Sequence, residues 1–342
     1  MKFGLLLITQ DPPRAKGIVR RWQEVLQIAI AAEESGFDGV FVPEHHMAED
    51  GCLPSPLVGL AAIAARTTRL ELGTAAILLP FHHPIHVAED AAMVDVISNG
   101  RLRLGCGLGN LDVGAALFGV DRDSQVARLE ESIDLIRRAW AGEEFDHRGE
   151  HFRTTGRISP LPIGAKMWLA GMSAVGARRA ARLGLPWLSD PLHNTAVVAC
   201  WAEAYRREGG EHGTSDHLGV VMVRDGWVAD SLEAVERIWW PHARADFSAR
   251  LAYFQAAPRA VAERDPVLAS MRTEADLDFE RHRTDRLIVG SPRECIGQIR
   301  ELDRVVGMDY LIMRLRMPSG PGFDEELACI RRFGTEVITA FR

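Results

Sequence analysis

Apolar positions along the chain switch repeatedly between two periods, and the switching predicts an architecture. Residues 3–8 are a short apolar run with strand character. Over 21–35, Trp22, Val25, Leu26, Ala29 and Ala32 recur at the i, i+3, i+4, i+7 spacing of an amphipathic helix, which Gly36 stops. A strand at 39–42 leads into Pro43-Glu44-His45-His46. The pattern repeats: helix at 57–66, strand at 70–76, helix at 84–97 with Pro84 in the tolerated first turn, strand at 102–108, and helix at 128–140. Leu129, Ile133, Ile136 and Trp140 share one face of that last helix. The second half continues with strands at 167–170, 186–188, 218–223 and 309–315. Its helices fall at 174–183, 195–207, 292–305 and 323–341. Only 241–286, rich in Arg, Asp and Glu, breaks the alternation.

Strands that alternate with helices make a parallel sheet, here expected to close as a (β/α)8 TIM barrel in one domain spanning 1–342. A doubly wound open sheet is the competing arrangement. The stretch 241–286 reads as an insertion near the C-terminal strands, in the position of a lid.

Composition narrows the function classes. The chain has 342 residues, 47% hydrophobic, with 40 Lys+Arg against 47 Asp+Glu and a net charge of −7. An acidic, mixed surface disfavours a nucleic-acid partner. Apolar runs of membrane-spanning length are absent, so no membrane role is expected, and the N-terminus reads as a strand rather than a signal peptide. Cys52, Cys106, Cys200, Cys295 and Cys329 are scattered, with no CxxC pair, which disfavours structural zinc and a disulfide framework. A reducing, cytoplasmic setting is expected.

Barrel chemistry sits where strands end. The candidate ends carry Glu44-His45-His46, Gly73-Thr74-Ala75-Ala76, Gly105-Cys106-Gly107-Leu108-Gly109-Asn110 and Ala170-Gly171-Met172-Ser173. These are odd choices for packing and sensible ones around a ligand. Met1-Lys2-Phe3-Gly4, Gly36-Phe37-Asp38, Glu44-His45-His46, Gly73-Thr74-Ala75-Ala76-Ile77-Leu78-Leu79-Pro80, His83-Pro84, Ala88-Glu89-Asp90, Gly100-Arg101 and Gly290-Ser291-Pro292-Arg293-Glu294-Cys295-Ile296 fall in the order and spacing of a known pattern. The chain resembles the bacterial-luciferase-like flavin-dependent monooxygenases, densely over 1–110 and more thinly onward. The resemblance implies a barrel on which reduced FMN reacts with O2 through a C4a-hydroperoxide to oxidise a small organic or natural-product substrate. The flavin would come from a separate flavin reductase. A homodimer through helices near the second and third strands is also implied. Separately, the arginine- and alanine-rich composition suggests a setting in secondary metabolism.

The resemblance gives His45 the catalytic place, and an imidazole titrating near neutrality suits proton transfer. A structural histidine bonded to a loop carbonyl is the alternative. His46 is the second catalytic candidate, either facing the pocket or orienting Glu44. Adjacent residues at a strand end point apart, so Glu44-His45-His46 makes a poor metal site, and none is expected. Ala75 and Ala76 match the family's non-prolyl cis peptide beneath the flavin ring. Gly107 and Gly109 would admit the ring closely. Gly171, Met172, Ser173 and Gly176 match the segment that holds the flavin phosphate, where a helix N-terminus offers N–H groups. One departure stands out: Leu108 occupies the place of a phosphate-clamping arginine. Arg128 or Arg122 is the candidate substitute, each with a solvated surface charge as the alternative. Cys106 reads as a packed residue. Trp239, Trp240, Tyr253 and Phe254 would cap a pocket or anchor the insertion.

Two other functions compete. One is an F420-dependent oxidoreductase on the same fold. The other is a non-catalytic flavin-binding subunit, against which His45 argues.

Overall fold

The computed structural model describes residues 1–12, 17–109, 112–255 and 262–342, with the side chains of 112, 113, 253 and 254 outside the description. Strands β1 (Lys2–Leu6), β2 (Gly39–Val42), β3 (Glu71–Thr74) and β4 (Leu102–Gly107) are followed by β5 (Lys166–Ala170), β6 (Trp187–Leu188), β7 (Val220–Val228) and β8 (Tyr310–Arg314). Each pairs in parallel with the next, and β8 returns to β1 through Lys2 opposite Tyr310. That last pairing closes the barrel and removes the open-sheet alternative.

The helices are α1 (Ile18–Glu34), α2 (Pro56–Ala64), α3 (Pro84–Ser98), α4 (Gln125–Trp140), α5 (Ala174–Arg182), α6 (Thr195–His212), α7 (Pro292–Val306) and α8 (Phe323–Arg332). Local chemistry sets their ends. Ser291 Oγ and Glu294 form a capping box at α7, and Gly307 at φ 66° ends the same helix in the left-handed region.

Strands of a barrel are buried on both faces, so they read as apolar runs. One face meets the helices. The other fills the lumen with Phe41, Trp168, Leu188, Val221, Val223, Tyr310 and Ile312. Phe41 stacks on Trp168 at 5.4 Å and meets Tyr310 edge-on at 5.5 Å. Two glycines make that possible: a Cβ on Gly4 would lie 2.6 Å from the Phe41 ring, and one on Gly73 2.2 Å from it.

Several expectations change. The strand expected at 218–223 runs through Val228. The last helix stops at Arg332 and continues as a π turn (Phe333–Val337) and a 3-10 turn (Ile338–Phe341). A hairpin (Phe145–Arg148 with Arg153–Gly156), the short strands Ile77–Leu78 and Ile288–Gly290, and a helix at Asp112–Phe118 were not anticipated. Each is short, and short runs carry too few periods to show.

The stretch between β7 and Ile288–Gly290 holds the helices Leu232–Ile238, Trp240–Ala249, Leu251–Gln255, Pro266–Ser270 and Phe279–Arg283. Ile288–Gly290 pairs with the outer end of β7, Gly226–Val228. Trp239 is fully buried, and its Nε1 donates to Leu315 O at 2.9 Å. Trp240 packs on Phe247, Phe279 and His282. Both tryptophans therefore anchor the insertion. The Tyr253 and Phe254 side chains lie outside the described residues.

Candidate active site

The site is built at the C-terminal mouth, from the exits of β2 through β5. The β3 exit is tied from both sides: Thr74 Oγ1 donates to Gly105 O at 2.7 Å, and Ala75 N donates to Val42 O at 2.8 Å. The Ala75–Ala76 peptide is cis, as the resemblance implied. Gly107 lies beside it: a Cβ there would meet the Ala76 Cβ at 3.2 Å and the Ala170 Cβ at 3.8 Å. Ala75, Ala76, Gly107 and Ala170 thus make a patch of minimal side chains at the exits of β3, β4 and β5. A flat ring fits against such a patch, because no side chain holds it away from the backbone.

Glu44 organises the neighbouring exit. It is 1% exposed. Its Oε1 contacts His46 Nε2 at 2.6 Å and His82 Nε2 at 2.7 Å, and its Oε2 accepts from Leu78 N at 2.9 Å. Burial pushes this carboxyl up, but the His82 hydrogen bond and charge, with the Leu78 and His46 bonds, hold it below its ordinary 4.5. Residues two apart share a side, so Glu44 and His46 converge where Glu44 and His45 would not. The three donor atoms lie within 4.8 Å of one another, close enough to suggest a metal. Yet N···O distances of 2.6 and 2.7 Å are those of direct hydrogen bonds. Ligands each about 2.0–2.2 Å from one tetrahedral ion would stand farther apart. The hub role of Glu44 and the part played by His82 go beyond what the sequence led us to expect. Their signal was present as the polar residues of Glu44-x-His46 and of His82-His83-Pro84.

His46 is therefore engaged with Glu44, and its ring lies against Phe118 at 4.6 Å. His45 points elsewhere. Its backbone N donates to Leu53 O at 3.0 Å, and its ring makes no hydrogen bond to a described residue. The residue is exposed to solvent, with protein packed about it on its inner side. Burial lowers its pKa below 6.5, Arg250 lowers it further, and Glu44 and Asp50 oppose the shift. A neutral imidazole bonded to no described residue can take or give a proton.

At the β5 exit Ser173 caps α5, its Oγ accepting from Gly176 N at 3.1 Å. That N–H is thereby used, leaving the N–H groups of Ala174 and Val175 as the available donors of the first turn. Gly171 and Gly176 serve close packing: a Cβ on either would come within 2.8 Å of the other's backbone. Met172 and Leu108 pack against the main core. Arg128 donates Nε to Pro80 O at 3.1 Å and lies over the Phe152 ring at 4.8 Å. Cys106 is fully buried and its thiol is pushed well up by burial, which fits the packed reading.

Among the described residues, no helix is long and apolar enough to cross a membrane. The pattern of the luciferase-like monooxygenases matches residues 1–308. The chain is 30% identical to 4-hydroxyprotoasukamycin monooxygenase of Streptomyces nodosus subsp. asukaensis over 90% of this chain and 83% of that protein. It is 24% identical to the oxygenase component of the flavin-dependent trigonelline monooxygenase of Acinetobacter baylyi, over 100% and 96%. Its similarity to the alkanal monooxygenase alpha chain of Photorhabdus luminescens, 32% identical, spans 64% of this chain but only 61% of that one. The crystal structure of monooxygenase RslO1 from Streptomyces bottropensis superimposes over all of both chains with a TM-score of 0.82 and 25% identity. The chain belongs to the luciferase-like monooxygenase family.

Proposed function

We propose that this flavin-dependent monooxygenase is the oxygenase of a two-component system that uses reduced FMN and O2 on a small organic substrate. The observation that carries this reading is the side-chain-poor patch of Ala75, Ala76, Gly107 and Ala170 at the same mouth as His45, whose ring bonds to no described residue. Reduced flavin would supply two electrons to O2, one oxygen atom entering the substrate and the other leaving as water. The chain's own residues bind, orient and move protons. Ala75, Ala76 and Gly107 would carry the ring. The first turn of α5, with Ser173, would meet the phosphate. Arg128 keeps N–H groups unused by described residues and is held near the β3 exit by its bond to Pro80 O. His45 would exchange a proton with the reacting oxygen. Glu44, through His46 and Leu78, would hold both walls in place. A separate reductase as electron source accords with the oxygenase-component name of the Acinetobacter relative. Five unpaired cysteines suit a reducing cytoplasm. The homodimer would form through α2 and α3.

Rapid mixing tests this. Protein preloaded with reduced FMN and mixed with O2 is expected to show the transient absorbance of an oxygenated flavin before oxidised FMN appears. Binding of F420 with none of FMN, or reoxidation as fast as that of free flavin, would overturn the reading.

A further inference from the structure

The inserted segment does more than cover the barrel. A chain of four charges, two buried and two partly exposed, runs from the mouth into it. Arg314, at the end of β8, donates Nε to Asp225 Oδ1 at 2.6 Å and Nη2 to Asp225 Oδ2 at 2.7 Å. The same Nη2 reaches Asp246 Oδ2 at 3.0 Å. Asp246, on the inserted helix Trp240–Ala249, accepts from Arg250 Nε at 3.1 Å and Nη2 at 3.3 Å. Two aspartates and two arginines balance in charge. Such a chain is costly to bury, and packed apolar residues would stabilise the fold as well or better. What it achieves is placement. Asp225 is fully buried and Arg314 nearly so, whereas the Arg250 side chain is 38% exposed. Asp246 grips one edge of Arg250, and Nη1 makes no hydrogen bond to a described residue. A guanidinium held by one edge presents the other as a ready fork for an oxyanion.

Its direction follows from its surroundings. Asp246, which holds Arg250, is itself held by Arg314 at the end of β8, and β8 pairs with β1 and β1 with β2. Arg250 therefore stands over the β8–β1–β2 side of the mouth, where its charge helps to lower the pKa of His45 in the loop after β2. The Ser173 turn follows β5, on the other side of the ring of strands.

We propose that Arg250 is the substrate-anchoring cation of this site, engaging a carboxylate or phenolate oxygen of the substrate within reach of His45. This rests on the monooxygenase reading above and narrows its substrates to those bearing an anionic oxygen. The insertion thereby becomes a wall of the active site, with Asp246 and Arg314 as positioning residues.

The test compares matched acid and ester probes on the full chain. Binding of benzoate and methyl benzoate, and of decanoate and methyl decanoate, is measured by calorimetry for wild type, Arg250→Gln and Arg250→Lys. Wild type is expected to prefer at least one acid over its ester by about tenfold, or ~1.4 kcal/mol. Arg250→Gln should abolish the preference by weakening the acid alone, and Arg250→Lys should keep part of it. Absence of any acid preference in wild type, or its survival in Arg250→Gln, overturns the proposal. FMN and riboflavin affinities are taken on the same proteins. Loss of the FMN preference in Arg250→Gln would give this arginine to the flavin phosphate and likewise overturn it. Wild type that binds neither flavin would refute the flavin reading, while the acid–ester comparison still decides on Arg250. Should Arg250→Gln melt well below wild type, Arg250→Lys, which keeps the charge but not the fork, decides by a reduced acid preference.

Discussion

His45 and His46 are neighbours in sequence with opposite surroundings. His46 is bound to a buried carboxylate, and among the described residues His45 is hydrogen-bonded through its backbone alone. His45→Ala should therefore lower turnover by roughly a hundredfold or more, with reduced-FMN affinity unchanged. Steady-state rates and anaerobic titration check both; full turnover would sink the assignment. Because burial and Arg250 hold the His45 pKa below 6.5, its neutral form persists down to that lowered value. The acid limb of kcat/KM should lie below 6.5 and vanish in the variant. The place of His45 at a strand end was legible in the alternation of periods, while its catalytic candidacy came from the family resemblance. The partnership of Glu44 with His82 was not, because it joins side chains from two different βα loops. Gly176 shows the reverse: the glycine was noticed, but its N–H turns out to serve Ser173.

At the scale of elements, the alternation of periods was enough to place the barrel strands. The insertion was visible only as an interruption. Its internal order depends on an aromatic cluster that no period announces. His282 sits in that cluster, 4.2 Å from the Phe247 ring centroid and 1% exposed, and neither ring nitrogen has a hydrogen-bond partner among the described residues. Burial, with Arg286 adding to it, holds its pKa well below 6.5. The folded segment therefore keeps His282 neutral, while the unfolded chain binds a proton below 6.5. Stability contributed here is full above 6.5 and declines as pH falls below it. His282→Phe should flatten that decline, read as Tm against pH across 6.5. An equal acid sensitivity in the variant would place the cause elsewhere.

For the whole molecule, closure was the step the sequence left open, since a strand–helix alternation serves open and closed sheets alike. The pairing of β1 with β8 joins residues about three hundred apart. The outer surface was partly legible. Helix α2 is apolar almost all round, which a helix facing water on one side is not. Its Val58 is 72% exposed, and Met93 and Ile97 on the adjoining α3 are 43% and 49% exposed. Such a face calls for a cover, and a second copy is the cover expected. Sedimentation should show a dimer that Val58→Arg combined with Ile97→Glu converts to monomer without loss of helical content. A wild-type monomer at micromolar concentration would count against it.

The Phe41 packing has a consequence for how such a protein diversifies. With glycines pressed to its ring and Trp168 stacked upon it, the lumen is shut directly beneath the mouth. A larger substrate gains no depth by enlarging the barrel interior. Any change in the size or charge of what is oxidised has to come from the rim, through the loops and the inserted helices. Those parts can be exchanged while the eight strands stay as they are, so the catalytic scaffold and the choice of substrate are free to evolve at different rates.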